Sequence, residues 1–527
     1  MSFSPPEIQW ASLAPVAIVL GTGVLGILVE AFVPRSARRI TQLVLSLLAL
    51  AGALIMLALQ WRDLDPAGGS AGVRALGGSL IMDGPAVLLQ SILVVLGALS
   101  MLVVADRTDL GEDAFAPSGA AVPNSDYERL ATSRGLVQTE VFPLMMLALG
   151  GMMIFPAAGD LLTLFVALEV FSLPLYLLTG LARRRRLLSQ EASIKYFLLG
   201  AFASAFLLFG IALLYGFAGS VELAGIGDAV ASSASLSPLL VGGLVLVLVG
   251  LLFKVGAVPF HSWTPDVYQG APTPVTGFMA ACTKVAAFGA LLRLVYVIIA
   301  PLQWDVMPLL YAVAALTMVV GTVIALVQTD IKRMLAYSSI AHAGFVLVGV
   351  VALQQSGITG VLFYLLAYGL ATIGAFGLVT LVREVNESAG GTVTAEATSL
   401  AQWAGLGRRH PVLAVTFTLF LLSFAGIPLT AGFVGKFAVF TAVIAGGQAW
   451  LAVLGVVASA AAVFFYVWVV VLMFFKEPDE ERAGTTVVTS EGPTAVAVAI
   501  AAVGTVFLGV LPSGVLSALG DLAVFVR

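Results

Sequence analysis

The sequence is divided into a series of long apolar runs, and this feature restricts the possible folds more than any other. The hydrocarbon core of a bilayer is about 30 Å thick, so a helix needs roughly 20 apolar residues to cross it. Runs of this length recur along nearly the whole chain, which is 60% hydrophobic and only 10% charged. In lipid only helices and closed barrels satisfy their own backbone groups, and runs this long indicate helices. The sequence therefore predicts an all-α membrane protein.

The apolar runs predict about 14 transmembrane helices. Their expected bounds are 11–32, 40–59, 82–104, 138–156, 160–181, 192–217, 237–258, 273–299, 305–327, 335–353, 357–382, 413–445, 450–474 and 492–517. An even number of spans places both chain termini on the same side of the membrane. Between the spans, the loops 105–137, 384–412 and 475–491 are polar, and we expect them to be solvated.

The distribution of basic residues gives the orientation. Of the 25 Lys and Arg residues, 17 lie in loops that follow odd-numbered spans and four lie in opposite loops or at the termini, namely Arg62, Arg74, Arg293 and Arg527. The remaining four lie within spans. Loops rich in Lys and Arg remain in the cytoplasm. The sequence therefore predicts a multi-pass protein of the cell inner or plasma membrane with both termini on the non-cytoplasmic side.

Residues 250–290 contain a broken helix with buried charges. An apolar run carries Lys254, is interrupted at Gly256-Ala257-Val258-Pro259, and resumes with Lys284. A lysine at the centre of a membrane helix costs about 2.5–3.5 kcal/mol, so it normally faces a bundle interior or a water-filled path. A helix break at membrane depth needs protein or a cavity to receive its backbone groups. This combination indicates an ion pathway.

A second stretch repeats the pattern. Residues 421–440 again contain an apolar run, a break at Gly426-Ile427-Pro428, and a buried lysine, Lys436. Broken helices in corresponding halves are typical of transporters built from repeats. Spans 4–8 and 9–13 would be two five-helix units, and an odd number of helices makes consecutive units inverted. The predicted division is 1–137 (three helices and a cytoplasmic loop), 138–299 and 300–475 (the two repeats), and 476–527 (the last loop and helix).

The lysines and one acid are candidates for a proton path. Glu169 lies well inside the fifth span, and an ion pair with Lys254 would change when either partner gains a proton or a new neighbour. Burial disfavours the charged form of lysine and a nearby carboxylate favours it, so moving the carboxylate can load or unload the amine. Lys284 would relay the proton between Lys254 and Lys436. The alternatives are a protonated or Ser172-bonded Glu169, and lysines that merely pair with backbone carbonyls.

Three further residues are weaker candidates. Lys195 lies close to Glu191 near the cytoplasmic end of its span, so it can also extend to the interface. His342, within the tenth span, and His261, in the polar segment after the first break, suit proton transfer near neutral pH. The alternative for His261 is a hydrogen bond to Asp266. We predict no metal site, because no second His or Cys lies at ligand spacing from these residues.

The strings KVGAVPFHSWTPDVYQGAPTPVTGFM, DIKRMLAYSSIAHAGF and GIPLTAGFVGKF resemble the antiporter-like membrane subunits of proton-translocating NADH:quinone oxidoreductase, or respiratory complex I. These subunits are similar to proteins of Mrp-type sodium/proton antiporters. The resemblance covers spans 4–13. The string EASIKYFLLGAFASAFLLFG is typical of one branch of the family. The chain also lacks the long lateral helix of L-type members and carries Lys436 where M-type members have a glutamate.

The resemblance implies roles for individual residues. Glu169 and Lys254 would form the charge pair of a first half-channel, Lys284 would connect, and Lys436 would serve the exit half-channel. Lys195 also matches a lysine of the family. The loop 105–137 is longer than expected in relatives, which leaves its role open.

The resemblance also implies a division of labour with other chains. This chain would be a non-redox subunit that translocates protons, with no cofactor of its own, while partner subunits hold FMN, iron-sulfur clusters and quinone. We expect an antiporter-like M subunit, the small K subunit and lipids as neighbours, and no nucleic acid. The alternative is a subunit of an Mrp-type cation/proton antiporter without a redox partner.

Overall fold

The computed structural model describes residues 8–65, 71–108, 111–117, 125–134, 137–233, 235–386, 392–477 and 484–526. The first elements are α1 (Trp10–Phe32), α2 (Arg35–Asp63), β1 (Gly72–Ala75), β2 (Leu80–Asp83), α3 (Gly84–Ala105) and α4 (Asp126–Ser133). The next are α5 (Val141–Ile154), α6 (Leu161–Thr179), α7 (Arg186–Ala218), α8 (Leu223–Ser232), α9 (Pro238–Val255), α10 (Trp263–Gly270), α11 (Thr273–Phe278) and α12 (Lys284–Leu294). The last are α13 (Met307–Ala325), α14 (Ile331–Val350), α15 (Gln355–Val379), β3 (Val382–Asn386), β4 (Thr392–Glu396), α16 (Leu406–Arg409), α17 (Pro411–Ala425), α18 (Ala431–Ala445), α19 (Ala449–Phe475), β5 (Gly484–Val487), α20 (Pro493–Val510) and α21 (Ser513–Asp521).

The prediction of an all-α membrane protein is confirmed. Among the described residues, 12 helices are long and apolar enough to cross a membrane, and each corresponds to one predicted span. The other two predicted spans are built from shorter apolar helices. Span 138–156 corresponds to the helix Val141–Ala157, and span 413–445 is divided into α17 and α18.

Burial separates a central group of helices from a peripheral one. Within the most apolar 18 residues of each helix, 89% are buried in α14 and 94% in α15. The value is 83% for the long segment Thr273–Leu302, which contains α11 and α12. The corresponding values are 33% for α1 and 28% for α2, which expose apolar side chains over most of their surface. A polar group in the central helices is therefore enclosed by neighbouring helices and does not face the lateral surface of the protein.

Carboxylate side chains begin several of these helices. Asp83 accepts a hydrogen bond from the backbone amide of Ala86 at the start of α3, and Asp160 does the same for Thr163 in α6. Asp330 accepts from two amides at the start of α14. A helix begins with unpaired N–H groups, and an aspartate at this position satisfies them.

Two predicted loops are not simply solvated. Parts of 384–412 and 475–491 form an antiparallel three-stranded sheet in the order β4-β3-β5. The strands contain the sequences VREVN, TVTAE and GTTV, in which β-branched residues are frequent, and such residues favour strands. Val382 of β3 is fully buried, so the sheet packs against the helices.

The described part of loop 105–137 is docked, which differs from the expected solvated excursion. Phe115 is only 2% exposed, and Arg183 pairs with Asp113 at 3.2 Å. Arg184 pairs with Glu128 at 3.0 Å. Burial raises the pKa of the Asp113 carboxyl, although the guanidinium of Arg183 opposes the shift. Complementary charges on the loop and on the arginine-rich segment between α6 and α7 explain the docking. The rest of this loop lies outside the described residues.

Arg293 lies within the predicted span 273–299 and not in a loop, as the distribution of basic residues assumes. It belongs to α12 and is 1% exposed. Its guanidinium forms two hydrogen bonds of 2.9 and 2.8 Å with the carboxylate of Asp83, which is fully buried. A buried arginine is retained only when a carboxylate and further acceptors compensate its charge. This pair joins α12 to the start of α3.

Candidate functional site

Both helix breaks occur at the predicted glycines. The last residue of α9 is followed by Gly256 with φ 74°, and that of α17 by Gly426 with φ 81°. Glycine adopts this left-handed conformation without penalty and commonly ends helices. A Cβ atom at Gly256 would lie 2.9 Å from Thr264 Oγ1, and one at Gly426 would lie 2.9 Å from Lys436 Cδ. Each break therefore requires glycine for its conformation and for the close approach of a neighbour.

At each break, a buried lysine binds the last carbonyls of the broken helix. Lys284 Nζ donates to Val255 O at 2.8 Å, and Lys436 Nζ donates to Ala425 O at 3.0 Å. Val255 and Ala425 each directly precede the break glycine. The carbonyl end of a helix carries partial negative charge, which favours a cation. In this contact Lys284, rather than Lys254, is the counterpart of Lys436.

Each of these two amines has additional partners. Lys284 Nζ also donates to Ser339 O of α14 at 3.0 Å. Lys436 Nζ also donates to Phe424 O at 2.9 Å and to Ser459 Oγ of α19 at 2.7 Å. Both ammonium groups therefore make several charge-assisted hydrogen bonds, and each connects a break to another helix.

The backbone before Lys284 is irregular. Between α11 and α12, residues Met279–Thr283 form a π-helical turn, and α12 begins at Lys284 itself. Single π-helical turns are rare inside helices and frequent at functional sites. The turn rotates the residues that follow it relative to those that precede it, which directs Lys284 toward the first break.

Lys254 lies in an aromatic cage on α9. It is 2% exposed, and its Nζ donates to Ser172 Oγ of α6 at 2.8 Å. The rings of Phe171, Tyr176 and Tyr196 lie 5.3, 5.4 and 5.3 Å from the same nitrogen. Aromatic faces attract a cation at these distances. The cage stabilises the charged amine without a direct carboxylate partner.

Glu169 and Lys254 do not form the predicted direct ion pair. The amine of Lys254 is bonded to Ser172, one helical turn after Glu169, and Glu169 Oε1 is buried without a hydrogen-bond partner in the described chain. The alternative bond between Glu169 and Ser172 is likewise not formed, because the Ser172 hydroxyl donates to Leu168 O. Ser172 therefore separates the acid from the amine.

His342 lies between the two lysines of the breaks. It is 3% exposed and is located on α14, the helix whose Ser339 carbonyl binds Lys284. Its Nδ1 lies 2.7 Å from the Tyr364 hydroxyl, and its Nε2 lies 3.2 Å from the Tyr466 hydroxyl. The ring of Phe424, whose carbonyl binds Lys436, is 5.5 Å from the imidazole. The structure thus brings His342 into the region between the breaks.

Several residues of the site were missed in the sequence. Tyr364, Tyr466 and Ser459 provide hydroxyl groups to His342 and Lys436, and Tyr466 is also bonded to Ser338. In the sequence these residues are marked by a hydroxyl side chain within an otherwise apolar span. That signal is weak, because serines and tyrosines in membrane helices commonly bond to backbone or to neighbouring helices.

Lys195 and His261 lie apart from the buried lysines. The side chain of Lys195 is 43% exposed and pairs with Asp266 and Glu191, both at 2.7 Å. Asp266 is also bonded to Arg333 at 2.9 Å, so the alternative hydrogen bond from His261 to Asp266 is not formed. His261 Nδ1 is buried without a partner among the described residues. Its neighbourhood is instead fixed by Trp263, whose Nε1 donates to Phe253 O at 2.9 Å.

The arrangement places groups that can take up and release protons close to buried hydroxyls. Among the described residues, no group of three or more His, Cys, Asp or Glu side chains is placed to hold a metal ion. The hydroxyls of Tyr196 and Thr264 are buried without a hydrogen-bond partner in the described part of the chain, one beside Lys254 and the other beside the first break. Buried hydroxyls of this kind are suited to bind ordered water. Amines, hydroxyls and an imidazole therefore lie close to one another at the two breaks.

Comparison with known proteins assigns the chain to a family. Residues 158–462 match the family model described as NADH:quinone oxidoreductase/Mrp antiporter, TM. A curated relative from Beutenbergia cavernae, named NADH-quinone oxidoreductase subunit N, is 64% identical over all of both chains. The chain belongs to the subunit N family of NADH-quinone oxidoreductases. The subunit N of Rhodococcus opacus is 53% identical over 99% of this chain and 97% of its own.

Solved structures agree with this family. A chain of respiratory complex I from Thermus thermophilus, with bound aureothin, is 33% identical, covers 96% of this chain and 99% of its own, and superposes with a TM-score of 0.75. A chain of the Mrp complex from Dietzia has a TM-score of 0.76 at 23% identity, covering 98% and 97% of the two chains. The latter shows a common fold alone. The features that separate this chain from L-type and M-type members agree with the subunit N family.

Proposed function

We propose that this chain is a non-redox, proton-translocating membrane subunit of an NADH-quinone oxidoreductase. The observation that carries the proposal is that three lysines, each at most 5% exposed, lie at or beside two helix breaks and bind hydroxyls and free carbonyls. Ionisable groups at membrane depth are costly and mark ion pathways. The proposed order is Glu169, Lys254, Lys284 and Lys436, with His342 between the last two.

Ser172 is the proposed switch between acid and amine. In the described arrangement it accepts a hydrogen bond from Lys254 while Glu169 Oε1 has no partner. A rotation of the Glu169 side chain toward Lys254 would replace a neutral partner with an anion and favour the protonated amine. Rotation back would favour release of the proton toward Lys284. A buried charge pair of this kind has two states that differ by few contacts.

Lys284, His342 and Lys436 form the second part of the proposed route. The imidazole has one tyrosine hydroxyl on each nitrogen, so it can accept a proton on one side and donate one on the other. Lys436 would then release the proton through the exit half-channel. Lys195 and His261 would act at the periphery, because Lys195 is paired with two carboxylates at a partly exposed position.

The assembly follows from the same proposal. Other subunits would hold FMN, the iron-sulfur clusters and the quinone site, and the M and K subunits would be membrane neighbours. The two five-helix repeats, 138–299 and 300–475, would have inverted topology, with segment 1–137 before them and 476–527 after them. Both termini would face the non-cytoplasmic side of the cell membrane.

An Mrp-type cation/proton antiporter subunit is the second candidate, because the matching family model describes both classes. The names of the curated relatives favour the oxidoreductase. Purification of the tagged chain from its native membrane distinguishes the two. Flavin and iron-sulfur subunits would accompany the chain in the first case, and small antiporter subunits without redox centres in the second.

Replacement of Lys254 by alanine tests the proposed function. We expect the complex to assemble and proton flux through this chain to fall about tenfold, because loss of a general acid or base costs 100-fold or more and water in the freed space recovers part of it. The measurement is the number of protons translocated per NADH oxidised by the purified complex in liposomes. Unchanged pumping by a fully assembled variant would refute the proposed role of Lys254.

Lys195→Gln provides a matched comparison. It removes another lysine charge from a membrane helix, but at a partly exposed pair that contributes about 1 kcal/mol or less. We expect pumping within about twofold of the original complex. A loss as large as that of Lys254→Ala would place Lys195 in the main route and contradict its peripheral assignment.

A further inference from the structure

A basic pocket lies at the start of α2, far along the chain from the helix breaks. It has a volume of about 380 Å³ and is lined by residues from the beginning of α2, from the segment after α3 and from the segment before α5. Four of its lining residues are arginines, namely Arg35, Arg38, Arg39 and Arg107, and Glu140 is the one acidic residue among them. Arg38 pairs with Glu30 at 3.4 Å and Arg39 pairs with Glu491 at 3.2 Å, so the positive charge that is open to a ligand is that of Arg35 and Arg107.

Two of the arginines are fixed by the protein and two are available to a ligand. Arg38 Nε donates to Val33 O at 2.8 Å, and Arg39 donates through two nitrogens to Ala105 O. Arg35 is exposed at the rim of the pocket. The Nε atom of Arg107 is buried and has no hydrogen-bond partner among the described residues. A buried guanidinium nitrogen without an acceptor has a donor that a ligand with acceptor oxygens can satisfy.

An exposed apolar stripe begins at the same pocket. Ile40 lines the pocket and is 67% exposed, and it is followed along α2 by Val44 at 49% and Leu48 at 67%. Residues spaced by four lie on one face of a helix. The face therefore continues from the arginines into the apolar part of the span. An occupant that fits both parts has an anionic head and a hydrocarbon chain.

We propose that this pocket binds the phosphate headgroup of an anionic phospholipid, with an acyl chain along Ile40, Val44 and Leu48. Guanidinium groups bind phosphate oxygens bidentately, and basic pockets beside membrane helices bind anionic lipid heads. The start of α2, which contains Arg35, Arg38 and Arg39, is rich in basic residues and so belongs to the predicted cytoplasmic side. The lipid connects α2 to the segments after α3 and before α5.

The test uses the whole purified complex in detergent, after removal of loosely bound lipid. The probe is phosphatidylglycerol with a photoreactive group on one acyl chain, and labelled peptides are mapped by mass spectrometry. Arg35→Gln with Arg107→Gln removes these two guanidinium groups and leaves Arg38 and Arg39 in place. We expect the apparent affinity for labelling of residues 40–48 to fall roughly 30-fold. Arg35→Lys with Arg107→Lys should recover most of it.

The matched control is Arg62→Gln with Arg408→Gln, which removes the same charge from two exposed arginines outside the pocket. Labelling of α2 should remain unchanged in this variant. Equal labelling of the original complex and the Arg35/Arg107 variant would overturn the proposal. Glycerophosphoglycerol and inorganic phosphate serve as competitors without acyl chains. If either displaces the lipid at similar concentration, the pocket binds a soluble anion and the proposed lipid site is wrong.

Discussion

Replacing Lys284 with leucine is expected to lower proton flux through this chain roughly 100-fold, which is the largest effect on function that we predict. Lys284 is bonded both to the first break, at Val255 O, and to α14, at Ser339 O, one turn before His342. Without this amine a proton must cross the gap as a charge in an apolar surrounding, which costs about 3 kcal/mol. The measurement is proton translocation per NADH oxidised in liposomes.

Lys284→Arg separates proton storage from structure. Arginine retains a positive charge and donors for the two carbonyls, but its guanidinium does not release a proton in proteins. We expect this variant to assemble at least as well as the leucine variant and to be similarly deficient in pumping. Normal pumping by Lys284→Arg would mean that the amine holds the break in place and does not carry the proton.

The largest effect on stability is expected for Asp83→Ala. Asp83 is fully buried and binds the equally buried Arg293, the backbone amide of Ala86 and the backbone amide of Val526 near the C-terminus. Arg293 also donates to Pro156 O at 2.8 Å. Removing one member of a buried pair leaves an uncompensated charge and costs about 3–5 kcal/mol. We expect a lower unfolding temperature of the purified complex and less assembled complex in the membrane.

Replacing both Asp83 and Arg293 identifies the cause of the expected loss of stability. Asp83→Leu with Arg293→Met removes the two charges together and supplies apolar side chains of related size. Such replacements are often neutral or stabilising relative to the ion pair. The double variant should therefore be more stable than Asp83→Ala, with proton pumping close to normal. If it is equally unstable, the cost comes from the backbone contacts of Asp83 and not from the unpaired guanidinium of Arg293.

The candidate site was only partly accessible from the sequence. Lys254, Lys284, Lys436 and His342 are recognisable because a charged or ionisable side chain within an apolar span is costly and conspicuous. Their partners are not recognisable in the same way. Ser172, rather than Glu169, binds Lys254, because the serine lies one turn further along α6 and is within hydrogen-bond distance. Hydrogen-bond partners depend on separations of about 3 Å between helices that are distant in sequence.

By itself, the sequence determined the helical membrane fold, the places of the breaks at Gly256 and Gly426, and the burial of the lysines. These properties depend on local rules, since bilayer thickness sets the length of a span and glycine permits a left-handed helix end. Only the tertiary structure decided that the described part of loop 105–137 docks on arginines and that Arg293 is buried against Asp83. Both depend on complementary charges from separate segments, and no single stretch of sequence contains that information.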